Sequence, residues 1–150
     1  MSTGGRTEPA GNVINRLRNR HRVAMKPKDL IAKAREVAGM FSLGGELSAG
    51  TVGCALLTKA GNVYTGICVD VYCGIGFCAE HSAIAEMLKG RETEIEMIVA
   101  VTEDKILPPC GRCREFMYQV NPKNLRAKVI VPGGKAVTLD KLLPLNWQEA

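Results

Sequence analysis

Two short stretches carry the strongest structural signal in this chain: residues 78–80 read Cys-Ala-Glu, and residues 109–113 read Pro-Cys-Gly-Arg-Cys. Together they contribute three thiols, those of Cys78, Cys110 and Cys113. A structural zinc ion has four protein ligands, whereas a catalytic zinc ion has three and keeps a fourth position for water. Three cysteines at these spacings therefore predict a catalytic Zn²⁺ site.

Each stretch is placed at the start of a predicted helix. Apolar residues recur at helical spacing over Ala79–Lys89, which stops at Gly90, and over Cys110–Val120. A helix N-terminus carries about half a positive charge and so lowers the cost of ionising a cysteine. Glu80 lies too close along the chain to Cys78 to bind the same ion easily, but its carboxylate is well placed to move protons. We predict that Glu80 is the catalytic residue.

The remaining pattern predicts an α/β domain. An amphipathic helix is expected from Lys28 to Phe41, entered through Pro27 and ended by Gly44-Gly45. The expected strands are 51–58, 63–69, 97–101 and 129–131, with a hairpin turn at 59–62, a polar loop at 103–109 and a short closing segment at 137–143. Because helical crossovers bring parallel strands side by side, this order predicts a mixed sheet with helices on both faces.

Charge is concentrated at one end of the chain. The net charge is +5, and residues 1–24 contribute +4 of it through five arginines and one glutamate. Residues 1–26 are therefore predicted to be a basic, flexible extension, and residues 27–150 to be the zinc-binding domain. The nearly neutral remainder, with few aromatic residues, argues against nucleic acid as a partner.

The cysteines and the hydropathy predict a location. No apolar run approaches the roughly 20 residues needed to span a bilayer, and Met1–Arg22 lacks the apolar middle of a secretory signal. We expect a soluble, cytoplasmic protein without a membrane partner, in which the six cysteines are thiols rather than disulfides.

Other interpretations of the three cysteines remain open. Cys110-Gly-Arg-Cys113 also fits a redox-active dithiol, although that leaves Cys78-Ala-Glu80 unexplained. A closed structural zinc site would need a fourth ligand such as Cys73 or His81. Three cysteines buried only for packing are a further alternative.

At these residues the sequence resembles the zinc-dependent cytidine deaminase superfamily, which combines a His or Cys ligand, a Glu and a Pro-Cys-x-x-Cys pair. The run Pro109–Arg114 is similar to that of blasticidin-S deaminases, and the likeness extends over residues 28–147. It implies a three-layer α/β/α sandwich with a mixed five-stranded sheet, assembled as a homotetramer. It also implies hydrolytic deamination of an aminopyrimidine nucleoside, base or analogue, in which Glu80 protonates the ring nitrogen and later the leaving ammonia.

The resemblance also suggests which residues contact substrate. The main chain at Ala79–Glu80 and the Pro108 carbonyl are expected to hold the base. Cys68 and Asp70 fall near the positions where cytidine deaminases present Asn and Glu to the ribose, and a thiol is a poor donor there. Tyr72, Phe77, Phe116 and Trp147 are candidates for an aromatic wall of the pocket.

Three thiolates place excess negative charge on a zinc ion, so donors that offset it are expected. The candidates are His81, Arg112 and Arg114.

Two other functions compete with deamination of a small pyrimidine. One is a zinc-stabilised binding module of the same fold without turnover, against which the presence of Glu80 argues. The other is deamination of a different aminated heterocycle or of a polynucleotide.

Overall fold

The structure is a computed structural model that describes residues 24–149. Residues 1–23 of the basic extension predicted for residues 1–26 lie outside the described residues. The described elements are, in chain order, α1 (Pro27–Val37), β1 (Ser48–Thr58), β2 (Val63–Asp70), α2 (Ala79–Lys89), β3 (Ile95–Val101), β4 (Ile106–Leu107), α3 (Gly111–Val120), β5 (Lys128–Val131), β6 (Lys135–Thr138) and α4 (Leu139–Leu142). Short 3-10 turns occupy Tyr72–Gly74, Pro122–Arg126 and Trp147–Glu149.

The strands form one mixed sheet in the order β2-β1-β3-β5-β6, and β4 pairs with β3 beside this path. The predicted hairpin of β1 and β2 is confirmed as antiparallel. The strands β3 and β5 are parallel because α3 crosses over between them. The predicted α/β class and mixed sheet are thus confirmed, but the described sheet has six strands where five were expected.

Helices cover both faces of the sheet. Successive residues of the central strands point to opposite sides, so each strand contributes side chains to both faces. On one face, α1 packs through Leu30 and Ala34 against residues that include Ala55 of β1 and Val99 of β3. On the other face, α2 and α3 pack against residues that include Leu56. Burial on both sides explains why β1 and β3 are nearly continuous apolar runs rather than alternating ones.

Three predicted boundaries were wrong. The helix α1 ends at Val37, before Gly44-Gly45, because the chain turns at Gly39, whose φ is 147°, and Phe41 pairs with Ala49. The predicted polar loop contains the two-residue strand β4. The closing segment divides into β6 and the four-residue helix α4.

One buried asparagine connects the second half of the domain. The Asn124 side chain accepts a hydrogen bond from the Ile95 backbone N–H at 2.8 Å and donates to the carbonyls of Thr93 and Met117 at 3.0 and 2.9 Å. It therefore joins the start of β3 to α3.

Within residues 24–149, no helix combines the length and the apolar character that crossing a membrane requires.

Candidate active site

The close approach of α2 to the sheet depends on Gly66 in β2. A Cβ atom at this position would lie 2.3 Å from the backbone N of Ala83 and 2.7 Å from the carbonyl oxygen of Ala79. Only glycine permits this contact, because real Cβ atoms do not approach so closely. The sheet thus fixes the helix that carries Cys78 and Glu80.

The chain before α2 is folded back onto β2. Val69 and Phe77 exchange two backbone hydrogen bonds of 3.0 Å, so the loop 71–76 closes over the end of the strand. A Cβ at Gly76 would lie 2.1 Å from the Val69 carbonyl oxygen. This return fixes where Cys78 enters the helix.

The predicted metal ligands come together at two helix N-termini. Cys78 is the N-cap of α2 and Cys110 is the N-cap of α3, while Cys113 lies in the first turn of α3. The Sγ atoms of Cys78 and Cys110 are 3.8 Å apart, and those of Cys110 and Cys113 are 3.5 Å apart. All three Sγ atoms lie within 4.8 Å of one another.

These distances fit a zinc ion. Sulfur ligands about 2.3 Å from a tetrahedral zinc are about 3.8 Å apart, close to the separations seen here. Burial raises the pKa of the Cys78 and Cys113 thiols, and the neighbouring Glu80 raises both further. Because ionising them in this place is costly, a bound dication is the natural partner for the cluster. All six cysteines of the chain are free thiols, so no disulfide competes for these sulfurs.

Glu80 lies in the first turn of α2 and is only 5% exposed. Burial raises the pKa of its carboxyl above the ordinary value, although hydrogen bonds from its own backbone and from Cys113 oppose this effect. A carboxyl group in such surroundings is suited to accept and return a proton.

A cavity of about 520 Å³ opens at the thiol cluster. Its lining includes the predicted substrate contacts Cys68, Asp70, Ala79 and Pro108, the predicted catalytic residue Glu80 and the predicted ligands Cys78 and Cys110. A volume of this size suits a nucleoside-sized molecule.

Two predicted aromatic contacts are placed elsewhere. Tyr72 and Trp147 are not among the residues that line the cavity, and they are 66% and 77% exposed. The backbone N–H of Trp147 instead donates to the carboxylate of Glu115. The aromatic residue that lines the cavity is Phe77, which reaches it through the loop 71–76.

Sequence reasoning missed other lining residues, among them Thr51 and Val52 at the edge of β1 and Leu107 of β4. They are distant from the motifs along the chain, so only the sheet order brings them to the site. The Gly74 and Gly76 pair just before Cys78 was the one local signal that this loop lies close to the site.

The three candidate donors differ in their contacts. Arg114 donates from Nε to the Pro109 carbonyl at 2.8 Å and from Nη1 to the Leu142 carbonyl at 2.9 Å. It therefore holds the backbone just before Cys110 against α4. Its described hydrogen bonds are to carbonyl oxygens and not to a thiol.

His81 stacks on Phe116 of α3 with ring centroids 4.6 Å apart. Burial, followed by the charge of Arg112, lowers the pKa of His81, which favours the neutral ring. Its Nε2 atom is buried and has no hydrogen-bond partner among the described residues. This atom is an unpartnered buried polar group in the first turn of the helix that Cys78 caps, and such groups in a native structure call for a specific explanation.

Comparison with known proteins agrees with this geometry. Residues 25–128 match the family model described as the cytidine and deoxycytidylate deaminase zinc-binding region. The blasticidin-S deaminase of Bacillus cereus is 30% identical over 108 residues, which cover 64% of this chain and 76% of that protein. The cytidine deaminase of Halalkalibacterium halodurans is 31% identical over 97 residues, covering 62% and 74% of the two chains.

Solved structures show the same likeness. The crystal structure of a mutant cytidine deaminase from Mycobacterium tuberculosis has a TM-score of 0.69 at 25% identity and covers 82% of this chain and 98% of that one. The cytidine deaminase of Burkholderia pseudomallei has a TM-score of 0.64 at 28% identity, covering 82% and 100%. The predicted fold and the predicted zinc-dependent hydrolytic deamination are thereby confirmed. The chain belongs to the family of cytidine and deoxycytidylate deaminases that share this zinc-binding region.

Proposed function

We propose that this chain binds Zn²⁺ through Cys78, Cys110 and Cys113, and that Glu80 moves the protons in hydrolytic deamination of a small aminopyrimidine nucleoside, base or analogue. The observation that carries the proposal is the buried carboxyl of Glu80 beside three converging thiols, with Glu80, Cys78 and Cys110 in the lining of a nucleoside-sized cavity. Bound at this cluster, zinc would act as a Lewis acid that makes water nucleophilic near neutral pH.

The protein's own groups account for the proton transfers. Water adds to the ring carbon that bears the amine, and one of its protons passes through Glu80 to the ring nitrogen. Glu80 then takes the second proton from the added hydroxyl and delivers it to the amine, so that the carbon–nitrogen bond breaks, ammonia leaves and a carbonyl remains. The buried position of the carboxyl limits exchange of this proton with bulk water.

We assign binding of the substrate's pyrimidine ring to main-chain groups near Glu80. Ala79 and Pro108 both line the cavity, and they belong to different parts of the chain, one to α2 and the other to the segment just before α3. We assign recognition of the ring edge to the main chain of the Ala79–Glu80 peptide and to the Pro108 carbonyl, because fixed peptide dipoles bind a planar ring without losing side-chain entropy. Arg114 is assigned to positioning this segment, and His81 with Arg112 to offsetting the charge of the thiolates.

The substrate is proposed to be a small molecule such as cytidine or an antibiotic of the blasticidin type, since both kinds of deaminase are relatives. A non-catalytic binding module remains the alternative, and the buried Glu80 in the cavity favours the enzyme. Nucleic acid is not a proposed substrate, because +4 of the net charge of +5 lies in residues 1–24.

Assembly and location are proposed on separate grounds. Large apolar side chains lie exposed on the described surface, which supports a homo-oligomer, with a tetramer as the proposed state. They are Met40, Phe41, Leu43, Val71, Tyr72, Ile75, Phe77, Leu145 and Trp147.

Six free thiols support a reducing, cytoplasmic location. We propose residues 27–150 as the catalytic domain and residues 1–26 as an extension to it.

The test is ammonia release from the zinc-loaded protein with cytidine, deoxycytidine, cytosine and blasticidin S as substrates. Glu80→Gln is expected to keep its zinc and its fold while losing about 10²–10⁴-fold in turnover. Cys110→Ala is expected to lose zinc and stability, because the remaining two thiols are too few for a tetrahedral site. Full turnover by Glu80→Gln, or an unchanged zinc content in Cys110→Ala, would contradict the proposed roles.

A further inference from the structure

A second cavity adjoins the segment that precedes the ligand Cys110. Its volume is about 530 Å³, similar to the 520 Å³ of the catalytic cavity. Leu107 of β4 and Pro108 line both cavities, so one short stretch of chain forms part of the wall of each. The chemistry proposed above does not use the second cavity.

The charged residues of the second cavity favour an anion. Its lining contains two cations, Arg35 from the last turn of α1 and Lys105, and one carboxylate, that of Asp104, which together give a net charge of +1. Within residues 24–149, the side chains of Arg35 and Lys105 make no ion pair or hydrogen bond. Two unpaired cations are thus available to a ligand, and the guanidinium presents its donors in a fork that matches a phosphate group.

Both cations are carried by backbone that is already fixed. Arg35 belongs to α1, which packs on the sheet through Ala34. The backbone N–H of Thr102 donates to the Lys105 carbonyl at 2.8 Å, and the Lys105 N–H donates to Oγ1 of Thr102 at 3.0 Å. Binding an anion between them therefore requires little ordering of the main chain.

The rest of the lining is apolar or bare main chain. Its apolar side chains are those of Ile106, Leu107, Pro108 and Pro132. Gly133 and Gly134 complete it, and apart from the adjoining residues no atom lies within 4 Å of the position that a Cβ would occupy at either glycine. The turn is therefore open to a ligand, and a cavity of this size and lining suits a small molecule with an apolar body.

The shared wall includes a group that is assigned to the substrate. The Pro108 carbonyl is proposed above to bind the pyrimidine ring, and no hydrogen bond within residues 24–149 involves Pro108. Its neighbours are better held, since Leu107 pairs with Ala100 and the Pro109 carbonyl accepts a hydrogen bond from Arg114. A ligand that packs on Pro108 from the second cavity restricts this residue, so that less freedom remains to be lost when a second ligand binds.

We propose that the second cavity binds a small phosphate monoester with an apolar body, and that its occupation strengthens binding in the catalytic cavity through Leu107 and Pro108. Arg35 and Lys105 hold the phosphate, while the apolar wall contacts the body of the ligand. The second site itself does not depend on the deaminase function. The coupling rests on the proposed function, because it acts through the carbonyl assigned to the substrate.

Calorimetric titration of the full, zinc-loaded chain with phenyl phosphate tests the second site. Phenol carries the same ring without the charge, and ribose 5-phosphate carries the phosphate on a polar body. Phenyl phosphate is expected to bind at least tenfold more tightly than either. Arg35→Gln and Lys105→Gln are each expected to weaken its binding about tenfold, because a hydrogen bond to a charged group is lost.

Lys33→Gln is the matched control. It removes the same charge from an exposed position of α1 that lies outside the second cavity. Residues two apart on a helix do not share a face, so this variant is expected to bind phenyl phosphate as the wild type does. Thermal unfolding of each variant establishes that it is folded.

A titration with uridine, the product of cytidine deamination, tests the coupling. Because coupling between two sites is reciprocal, uridine and phenyl phosphate must raise each other's affinity by the same factor, expected to be about fivefold. Competition between them would place phenyl phosphate in the catalytic cavity and overturn the inference. Independent binding of the two would overturn the coupling.

The remaining outcomes separate this inference from the proposed function. Unchanged affinity in both Arg35→Gln and Lys105→Gln would refute the second site, and an equal affinity for ribose 5-phosphate would refute the role of the apolar wall. Binding of phenyl phosphate without uridine binding or ammonia release would support the second site and contradict the proposed function. Ammonia release without any binding of phenyl phosphate would support the function and refute the second site.

Discussion

Replacement of Gly66 by alanine tests whether the contact between β2 and α2 positions the catalytic site. The added Cβ would lie 2.3 Å from the backbone N of Ala83, and ordinary van der Waals contact begins at 3.4 Å. The two other close atoms are the carbonyl oxygen of Ala79 and the Cβ of Ser82, both at 2.7 Å. Because these are backbone atoms and a Cβ fixed to the backbone, no flexible side-chain end can move aside. The whole of α2 must therefore shift from the sheet by about 1 Å.

Two losses follow from this shift. Overpacking of a tight interior contact costs about 1–3 kcal/mol in the free energy of unfolding. The same helix carries Cys78 and Glu80, whereas Cys110 and Cys113 belong to α3. A misplacement of about 1 Å between reacting groups costs about 100-fold in rate. We expect a lower melting temperature, weaker zinc binding and kcat/KM reduced about 100-fold.

The assays are thermal unfolding, zinc content after dialysis and ammonia release from the preferred substrate. Gly111→Ala is the matched control, because it adds the same methyl group next to a ligand at a position with no atom within 4 Å. It is expected to keep zinc and activity, and its helix position favours alanine over glycine. If Gly66→Ala kept the melting temperature and kcat/KM of the wild type, the argument that this glycine sets the helix position would be refuted.

Two further changes probe stability away from the cavity. Asn124→Ala leaves the buried backbone groups of Ile95 and Met117, and the carbonyl of Thr93, without this side-chain partner and is expected to cost about 2–4 kcal/mol by urea denaturation; a loss below the error of the measurement would disprove its clamping role. The hydrogen bond from Lys59 lowers the pKa of Glu96, so the contribution of Glu96 to stability is present at neutral pH. This contribution to stability is lost as the pH falls through the lowered pKa of Glu96, because a carboxylate that is stabilised in the folded state must then be protonated. Glu96→Gln is expected to cost about 0.5 kcal/mol at pH 7 and nothing below the lowered pKa, since the pair is partly exposed to water; a difference that grows in acid would contradict this sign.

The helices that carry the ligands were predictable because their signals are local. The predicted bounds of α2 match the structure, and α3 begins one residue after its predicted start with Cys110 as its cap. Helical periodicity, Gly90 and Pro122 act within a few residues, so the sequence contains them directly.

Elements that depend on distant partners were predicted less well. The strand β4 has two residues and exists because Ala100 and Val101 of β3 offer it an edge. The helix α1 ended early because Ala49 pairs with Phe41, a contact that no local pattern encodes. In both cases tertiary hydrogen bonds outweighed the intrinsic preference of the segment.

The sequence by itself determined the chemistry of the site: three thiols and one carboxyl at the starts of two helices, in the order of the deaminase family. Only the tertiary structure decided the substrate-facing wall. Asp70 joined it while Tyr72 and Trp147 did not, and Phe77 entered it through a loop folded back on β2. The reason is physical: a ligand motif is fixed by covalent spacing and helix geometry, whereas a cavity is formed by strands and loops that meet only after the sheet has assembled.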